Sequence, residues 1–383
     1  MVPVRFLHLS DVHLDTSFSG SGFPSRLGDR KREAIRATLR EILREAQSMG
    51  AGLVLVGGDL FEHDRVTPDT VEFLKQQFGA LVPVPVFISP GNHDPCVSGS
   101  PYLDDDWPPN VTIFRDEAWK SFELAEAGVR VTGFGYGRTQ LPGRMFLALP
   151  PLAPDLANVV LAHASDSGWA PEGKVRHVPF AVEEIAGKNV QYCALGHYHQ
   201  QRPVENPIDG TAIWYPGIPE PRGWDEEGDG GYLVGEITPA GAVVETRRSG
   251  SLPLKRLALS CDGFTSREQI ADAVLQQAGI SFDERTILRV ELTGYLDPRL
   301  DLSIPELGER VSGSALFVRW DDRTVPAIDF VAAAEERTLR GRFARTMNER
   351  IATATPEARP MLERARAYGI RALDGNWRIA IGG

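Results

Sequence analysis

Five short stretches of the chain join an apolar run to residues that bind metals. Phe6-Leu7-His8-Leu9-Ser10 is followed by Asp11-Val12-His13, and Leu53–Val56 by Gly57-Gly58-Asp59. Val84–Ile88 leads to Gly91-Asn92-His93-Asp94, Val159–Ala162 to His163, and Ala194-Leu195 to Gly196-His197-Tyr198-His199. Imidazole and carboxylate donors together suit Mn, Fe or Zn better than Ca or Mg. Asp11 and His13 are two apart, as are His197 and His199, so each pair faces one way if the backbone stays extended. Asp59 has two oxygens with which to bridge two ions, and Asn92 offers a carbonyl oxygen that adds no charge. Two cations roughly 3.5–4 Å apart can clamp both oxygens of a phosphoester displacement. Each piece alone is weak, since Gly-Asp and Gly-Asn also suit turns. A lone strand-end His is more often a satisfied polar residue. Together and in this order, the five point to a pocket for two metal ions.

Such a pocket needs strands that deliver their ends to one place. Continuous apolar runs fit strands buried on both faces, and helical patterns over 29–48 and 68–79 alternate with them. The alternation predicts an α/β fold, in which sites form beyond the carboxyl ends of strands. Further strands are expected at Ala212–Tyr215, Tyr232–Glu236 and Ala242–Thr246. Ser249-Gly250-Ser251 predicts a boundary between a first domain, 1–250, and a small α+β domain, 251–326. From about Ala327 the pattern turns helical, giving a C-terminal region 327–383 in which Leu339, Phe343, Met347 and Ile351 form an apolar stripe.

A length of 383 residues suggests two or three domains, at about 150 residues each. No apolar run approaches the ~18 residues of a membrane-spanning helix. Val4–Leu9 is too short for a signal peptide, and three cysteines make no disulfide framework, so the expected compartment is the cytoplasm. The net charge of −11 argues against a surface coated in basic residues for nucleic acid, without excluding a local site. The charge is uneven: residues 331–383 hold 10 Arg against 6 acids.

Asp-x-His, Gly-Asp, Gly-Asn-His-Asp, a strand-end His and Gly-His-x-His, in order over residues 11–199, resemble the calcineurin-like metallophosphoesterase superfamily. The resemblance implies a sandwich of two β-sheets flanked by helices. It implies Asp11, His13 and His199 as ligands of one metal, Asn92, His163 and His197 as ligands of the other, and Asp59 as the bridge. His93 matches the residue that contacts the scissile phosphate, and Asp94 would orient its imidazole. The ions implied are two divalent metals, Mn first, with Fe or Zn as alternatives. A hydroxide generated at the metals would attack phosphorus, with His93 stabilising charge or protonating the leaving group.

Phe6 to Asp15, Gly58-Asp59-Leu60-Phe61 and Tyr215-Pro216-Gly217-Ile218-Pro219-Glu220 are similar to the DNA-repair exonuclease branch, the SbcD-type nucleases and their YhaO-like relatives. That narrower resemblance implies DNA as substrate and a DNA-contacting cap at 252–325. It also implies an SbcC-like coiled-coil ATPase held by the tail, and a homodimer. The chain departs from the branch at Glu62, where some repair nucleases carry a His; His63 comes next. The alternative is a phosphodiesterase or phosphatase acting on a nucleotide or other small phosphoester. A scaffold that has lost its metals is opposed by the complete ligand set.

Other residues read more plainly. Arg32, Arg36, Arg40 and Arg44 fit a solvated helix face, paired in part with Glu33, Glu41 and Glu45, better than a phosphate-binding stripe. His8 and Cys193 read as sheet core, Cys96 gives no sign of a nucleophile, and His177 has no evident partner. The loop Pro216 to Gly231, with Arg222, Trp224 and Asp225, is either a surface loop or a rim that orients substrate.

Overall fold

The computed structural model describes residues 2–374 apart from 172, 174, 282, 298, 299 and 301. The chain divides into two compact units, 1–254 and 255–383. Residues 375–383, the end of the expected helical region, lie outside the described residues.

In the first unit the run of elements is β1 (Val4–Leu9), α1 (Ser25–Ser48), β2 (Leu53–Val56), α2 (Pro68–Gly79), β3 (Val86–Ile88) and β4 (Val111–Ile113). Then come β5 (Lys120–Leu124), β6 (Val129–Gly133), β7 (Ala157–His163), the short pair β8 (Ser165–Asp166) and β9 (Pro179–Phe180), and β10 (Tyr192–Gly196). The unit closes with β11 (Arg202–Pro203), β12 (Ala212–Tyr215), β13 (Gly228–Thr238) and the greater part of β14 (Gly241–Ser260). One sheet runs β14-β13-β1-β2-β3-β4, with β1, β2, β3 and β4 parallel and β13 antiparallel to β1. The other runs β11-β12-β10-β7-β6-β5, with β12, β10, β7 and β6 parallel. Two multi-strand sheets flanked by helices are the architecture expected from the resemblance.

Strand periodicity divides the core. Phe6, Leu53, Leu55 and Phe87 pack with Val129, Val131, Val159, Leu161, Tyr192 and Ala194 between the two sheets. Their neighbours in sequence, Leu7, Leu9, Val54, Val56 and Ile88, turn the other way, onto Ile35, Leu39, Ile42 and Leu43 of α1 and Phe73, Leu74 and Phe78 of α2. Both faces of the first sheet are therefore apolar, as continuous runs require. Helix α2 starts where Thr67 caps it, its hydroxyl accepting from Thr70 N at 3.3 Å, with Pro68 at the first helical position.

Ser249-Gly250-Ser251 is strand rather than linker, held within β14 by pairing to β13. The loop before β13 adds anchors: Ser249 Oγ donates to Pro219 O (2.6 Å) and Ser251 N to Glu220 Oε2 (2.6 Å).

The second unit is α+β. β15 (Ile287–Thr293) lies between the end of β14 and the parallel strand β17 (Phe317–Asp322). The short β16 (Tyr295–Leu296) pairs with β18 (Val325–Pro326). Helices α3 (Arg267–Ser281) and α4 (Ile304–Val311) cover this sheet through Ile270, Val274, Leu307 and Val311. Helices α5 (Phe330–Glu335), α6 (Leu339–Ala352) and α7 (Arg359–Leu373) pack on one another. The predicted stripe on α6 is divided: Met347 is buried and Phe343 packs beside Ile370 of α7, while Leu339 is 69% exposed.

Candidate metal centre

The five ligand clusters follow the carboxyl ends of β1, β2, β3, β7 and β10. Glycines let the two sheets' ends meet: a Cβ on Gly196 would lie 2.0 Å from Gly57 O. Past Leu9 the main chain keeps pairing with the segment after β2. Asp11 N donates to Gly58 O (2.9 Å), His13 N to Asp59 O (2.9 Å), Leu14 N to Leu60 O (2.8 Å), and Glu62 N returns to Leu14 O (3.0 Å). The backbone is not extended there. Asp11, His13 and Asp59 have φ of +55°, +51° and +53°, and His197 has +108°. Asp11 and His13 thus come together through left-handed residues, not through strand alternation as the spacing suggested. Strain of this kind persists where surrounding structure over-determines it, commonly at functional sites.

These turns converge the side chains. His199 Nε2 is 3.6 Å and His13 Nε2 4.0 Å from Asp11 Oδ1. Asp59 Oδ2 lies 3.8 Å from His13 Nε2 and 3.4 Å from His163 Nε2. His163 Nε2 is also 3.1 Å from Asn92 Oδ1. Asp11 Oδ2 is occupied, accepting from Ser10 Oγ and from His197 N at 3.0 Å. Asp11 Oδ1 and His13 Nε2, by contrast, are buried without a hydrogen-bond partner.

Each ring is oriented from behind. His13 Nδ1 donates to Glu62 Oε1 (2.8 Å) and His199 Nδ1 to Glu226 Oε1 (2.6 Å). His163 Nδ1 donates to the main-chain carbonyl of Gly57 (2.8 Å), and His197 Nε2 to that of Val175 (3.0 Å). In a neutral ring, a donating nitrogen leaves the other with a bare lone pair. On His13 and His163 that lone pair faces carboxylate and amide oxygens. Burial pushes His13 well below its ordinary value, helped by Arg222, His199 and His93. Acceptors facing acceptors in a dry pocket are costly without a cation between them. The residues therefore fit a metal: His nitrogens and carboxylate oxygens, aimed inward, with orphan atoms to satisfy.

Asp11, His13 and His199 form one group able to hold an ion, and Asp11, Asp59 and His163 another. His13, Glu62 and His93 also cluster within reach of one ion. That third group is better read as a hydrogen-bonded trio, because Glu62 already accepts from both rings.

His93 is held by Glu62, whose Oε2 accepts from its Nδ1 at 2.7 Å. Burial opposes the charged ring, but the Glu62 hydrogen bond and the Asp59 and Glu62 charges raise His93 to about 9. Asp94 does not orient His93, contrary to the expectation from its motif. Its Oδ1 accepts from Asp59 N (3.0 Å) and Gly91 N (2.6 Å), and its Oδ2 from Leu60 N (2.7 Å) and the Tyr102 hydroxyl (2.7 Å). It fixes the loop that presents Asp59.

The sequence signals missed Glu226 altogether, and Glu62 stood out only as a departure. Arg222 joins the two: its Nη1 is 3.6 Å from Glu62 Oε1 and its Nη2 2.8 Å from Glu226 Oε1. Burial raises Glu226, yet the Arg222 charge and the His199 hydrogen bond hold it well below the usual carboxylate range. The loop after β12 therefore reaches the pocket. Its entry is fixed by Glu220, which binds the buried Lys31 of α1 (2.7 Å) and Thr38 (2.8 Å). His177 gains a neighbour the sequence did not reveal: its ring lies edge-on to His197, centroids 5.3 Å apart.

Elsewhere the plain readings apply. Arg32 pairs with Asp29, Arg36 with Asp69 and Arg44 with Glu41, and Arg36 and Arg40 lie over the Phe73 ring. His8 is buried between the sheets, bonded to the Tyr192 hydroxyl (2.7 Å) and Leu195 O (3.0 Å). Burial and Asp94 push the Cys96 thiol up to about 12, so it is no nucleophile at neutral pH. Among the described residues no helix is long and apolar enough to cross a membrane.

The sequence model of the calcineurin-like phosphoesterases matches residues 4–201. The uncharacterized metallophosphoesterase YhaO of Bacillus subtilis is 28% identical over 255 residues, 65% of this chain and 61% of that protein. The chain thus spans less than two thirds of that relative. The DNA double-strand break repair protein Mre11 of Methanopyrus kandleri is 25% identical over 374 residues, 89% of this chain and 78% of that protein. Among solved structures, TT1561 of Thermus thermophilus aligns at 13% identity and TM-score 0.39, over 64% of this chain and 99% of its own. A dimetal phosphatase from Danio rerio aligns at 12% and 0.40, over 63% and 99%.

Proposed function

The chain belongs to the calcineurin-like phosphoesterase family, and from that premise we propose that it hydrolyses DNA phosphodiester bonds with two divalent metal ions. The observation that carries this reading is Asp59 Oδ2, set between the bare nitrogens of His13 and His163. Asp11, His13 and His199 would hold one ion, Asn92, His163 and His197 the other, with Asp59 shared; Mn is the first candidate, Fe and Zn the alternatives. Such ions supply an activated water and neutralise charge on the phosphoryl oxygens. The chain's own residues do the rest. With Nδ1 tied to Glu62, His93 has Nε2 left to meet the substrate, and its side chain is 44% exposed. Held by Glu62 through Nδ1, the ring can carry a proton on Nε2 and donate it to a phosphoryl or leaving oxygen.

DNA as substrate is supported by the Mre11 relative, which matches beyond the catalytic unit. The net charge of −11 favours the other reading, a nucleotide or small phosphoester. Purified chain with Mn²⁺, offered an oligonucleotide beside a chromogenic phosphodiester, separates them. Cleavage of both, stopped by chelator, is expected. Cleavage of the small ester alone moves the substrate to the second reading, and cleavage of neither overturns the hydrolase.

We also propose that the helical region from α5 onward docks an SbcC-like coiled-coil ATPase. Its support is the family resemblance, the surplus of Arg there and the exposure of Leu339, Met361 and Tyr368. Removing residues 331–383 should abolish co-purification with the ATPase while leaving oligonucleotide cleavage intact. Loss of the metal site in that truncation would contradict it.

A further inference from the structure

We propose that Glu62 is a shared positioning residue, one carboxylate that fixes both the metal-facing His13 and the substrate-facing His93. The proposal rests on the hydrolase reading above for its kinetic arm only. Glu62 Oε1 accepts from His13 Nδ1 at 2.8 Å, and its Oε2 from His93 Nδ1 at 2.7 Å. The two rings stand edge to face, centroids 4.8 Å apart at 81°. Each has its Nδ1 committed to the carboxylate, so each can present only Nε2 elsewhere. His13 Nε2 turns to Asp11 and Asp59, while His93 is left facing outward.

Glu62 is itself pinned on three sides. Its main-chain N donates to Leu14 O (3.0 Å), one residue past His13. The next residue, His63, donates its N to His93 O (2.9 Å). Arg222 lies 3.6 Å from Oε1, sharing its charge with Glu226. The carboxylate thus sits at fixed distance from both loops it serves, and it sets the separation between the His13 and His93 rings. Carboxylates behind metal-binding histidines orient the ring and strengthen it as a ligand. Here the same group also holds His93, the ring that the hydrolase reading turns toward substrate.

The test uses full-length chain and the variants Glu62→Gln, Glu62→Ala and Glu62→Asp, each checked for folding by thermal melting. Equilibrium dialysis with Mn²⁺ and elemental analysis reads the His13 side without any catalysis. Glu62→Ala should weaken binding of one ion about 10–100-fold, the usual cost of losing such a partner. Hydrolysis reads the His93 side, by comparing a phosphodiester with an alkoxide leaving group and one with p-nitrophenolate. A good leaving group needs little protonation, so with Mn²⁺ raised until both sites are filled, Glu62→Ala should lose about 10²-fold on the alkyl ester and far less on the nitrophenyl ester. Glu62→Asp should restore part of both losses, and Glu62→Gln, which cannot accept from two N–H groups equally, little of either. Unchanged Mn²⁺ affinity, or equal losses on the two esters, overturns the shared role. If the native chain cleaves neither ester, the hydrolase reading falls, and the Mn²⁺ affinity alone decides this inference.

Discussion

His13 and His199 each give a ring proton to a carboxylate, Glu62 and Glu226, whereas His163 and His197 give theirs to the main-chain carbonyls of Gly57 and Val175. The two halves of the pocket each offer a pair of imidazoles, with opposite support behind them. A charged acceptor makes the imidazole a stronger donor to a metal, and it can be removed by one substitution. A carbonyl of the main chain strengthens the ring less, and no side-chain substitution removes it. The first half is thus electrically tuned, and through Arg222 its two carboxylates form one network. The second half is fixed by the backbone that builds it. The pocket should therefore fill in order, with the Asp11, His13 and His199 side tighter.

Asp59 is where the halves meet, so its loss should be the largest effect. Asp59→Ala should release both ions and lower hydrolysis about 10³-fold or more, a loss of several kcal/mol. Elemental analysis that still finds one ion at native affinity would break the idea that Asp59 serves both. Glu226→Gln sharpens the contrast. Mn²⁺ titration should show one site weakened about 10–100-fold and the other unmoved. Both sites falling together would mean that the halves are not independent.

His8 is an internal control for the neutral mode of support, since its partners are a hydroxyl and a carbonyl. Burial holds it down, to about 3, well under its ordinary 6.5. As pH falls below 6.5 the unfolded chain takes up the proton first, so the folded state loses stability until about pH 3 and loses none of this term above 6.5. The slope is about 1.4 kcal/mol per pH unit from this one group. Urea unfolding should show native chain losing stability faster than His8→Gln between about pH 6 and 4, and parallel curves would count against a neutral His8. The smallest effect belongs to Val175→Ala. The side chain is 67% exposed and only its carbonyl reaches His197, so Mn²⁺ affinity should stay within about twofold. A clear drop would show that the side chain, not the backbone, supports that half.

The same contrast explains what could be read from the sequence. Ligand candidates such as Asp11, Asp59 and His163 follow buried apolar runs, and strand periodicity is a local signal. So are the strands that carry them, β1, β2 and β7. The edge strands β4 and β5 escaped notice because Val111–Ile113 is too short, and Lys120–Leu124 too exposed, to make an apolar run. The supports are not local. Glu226 lies 27 positions from His199, and Glu62 lies 49 from His13. A main-chain carbonyl such as that of Val175 leaves no mark on residue type at all. Asp94 misled for a related reason: adjacency to His93 suggested contact, but its carboxylate turns inward to Tyr102 and the Asp59 loop.

Two ions in one pocket would share Asp59. Crystals of the full chain grown with Mn²⁺ and measured at the manganese absorption edge test it most directly. Two anomalous peaks are expected, one against Asp11, His13 and His199 and one against Asn92, His163 and His197, with Asp59 touching both. An empty pocket, or a single peak that engages only one set, would rule out a two-metal centre.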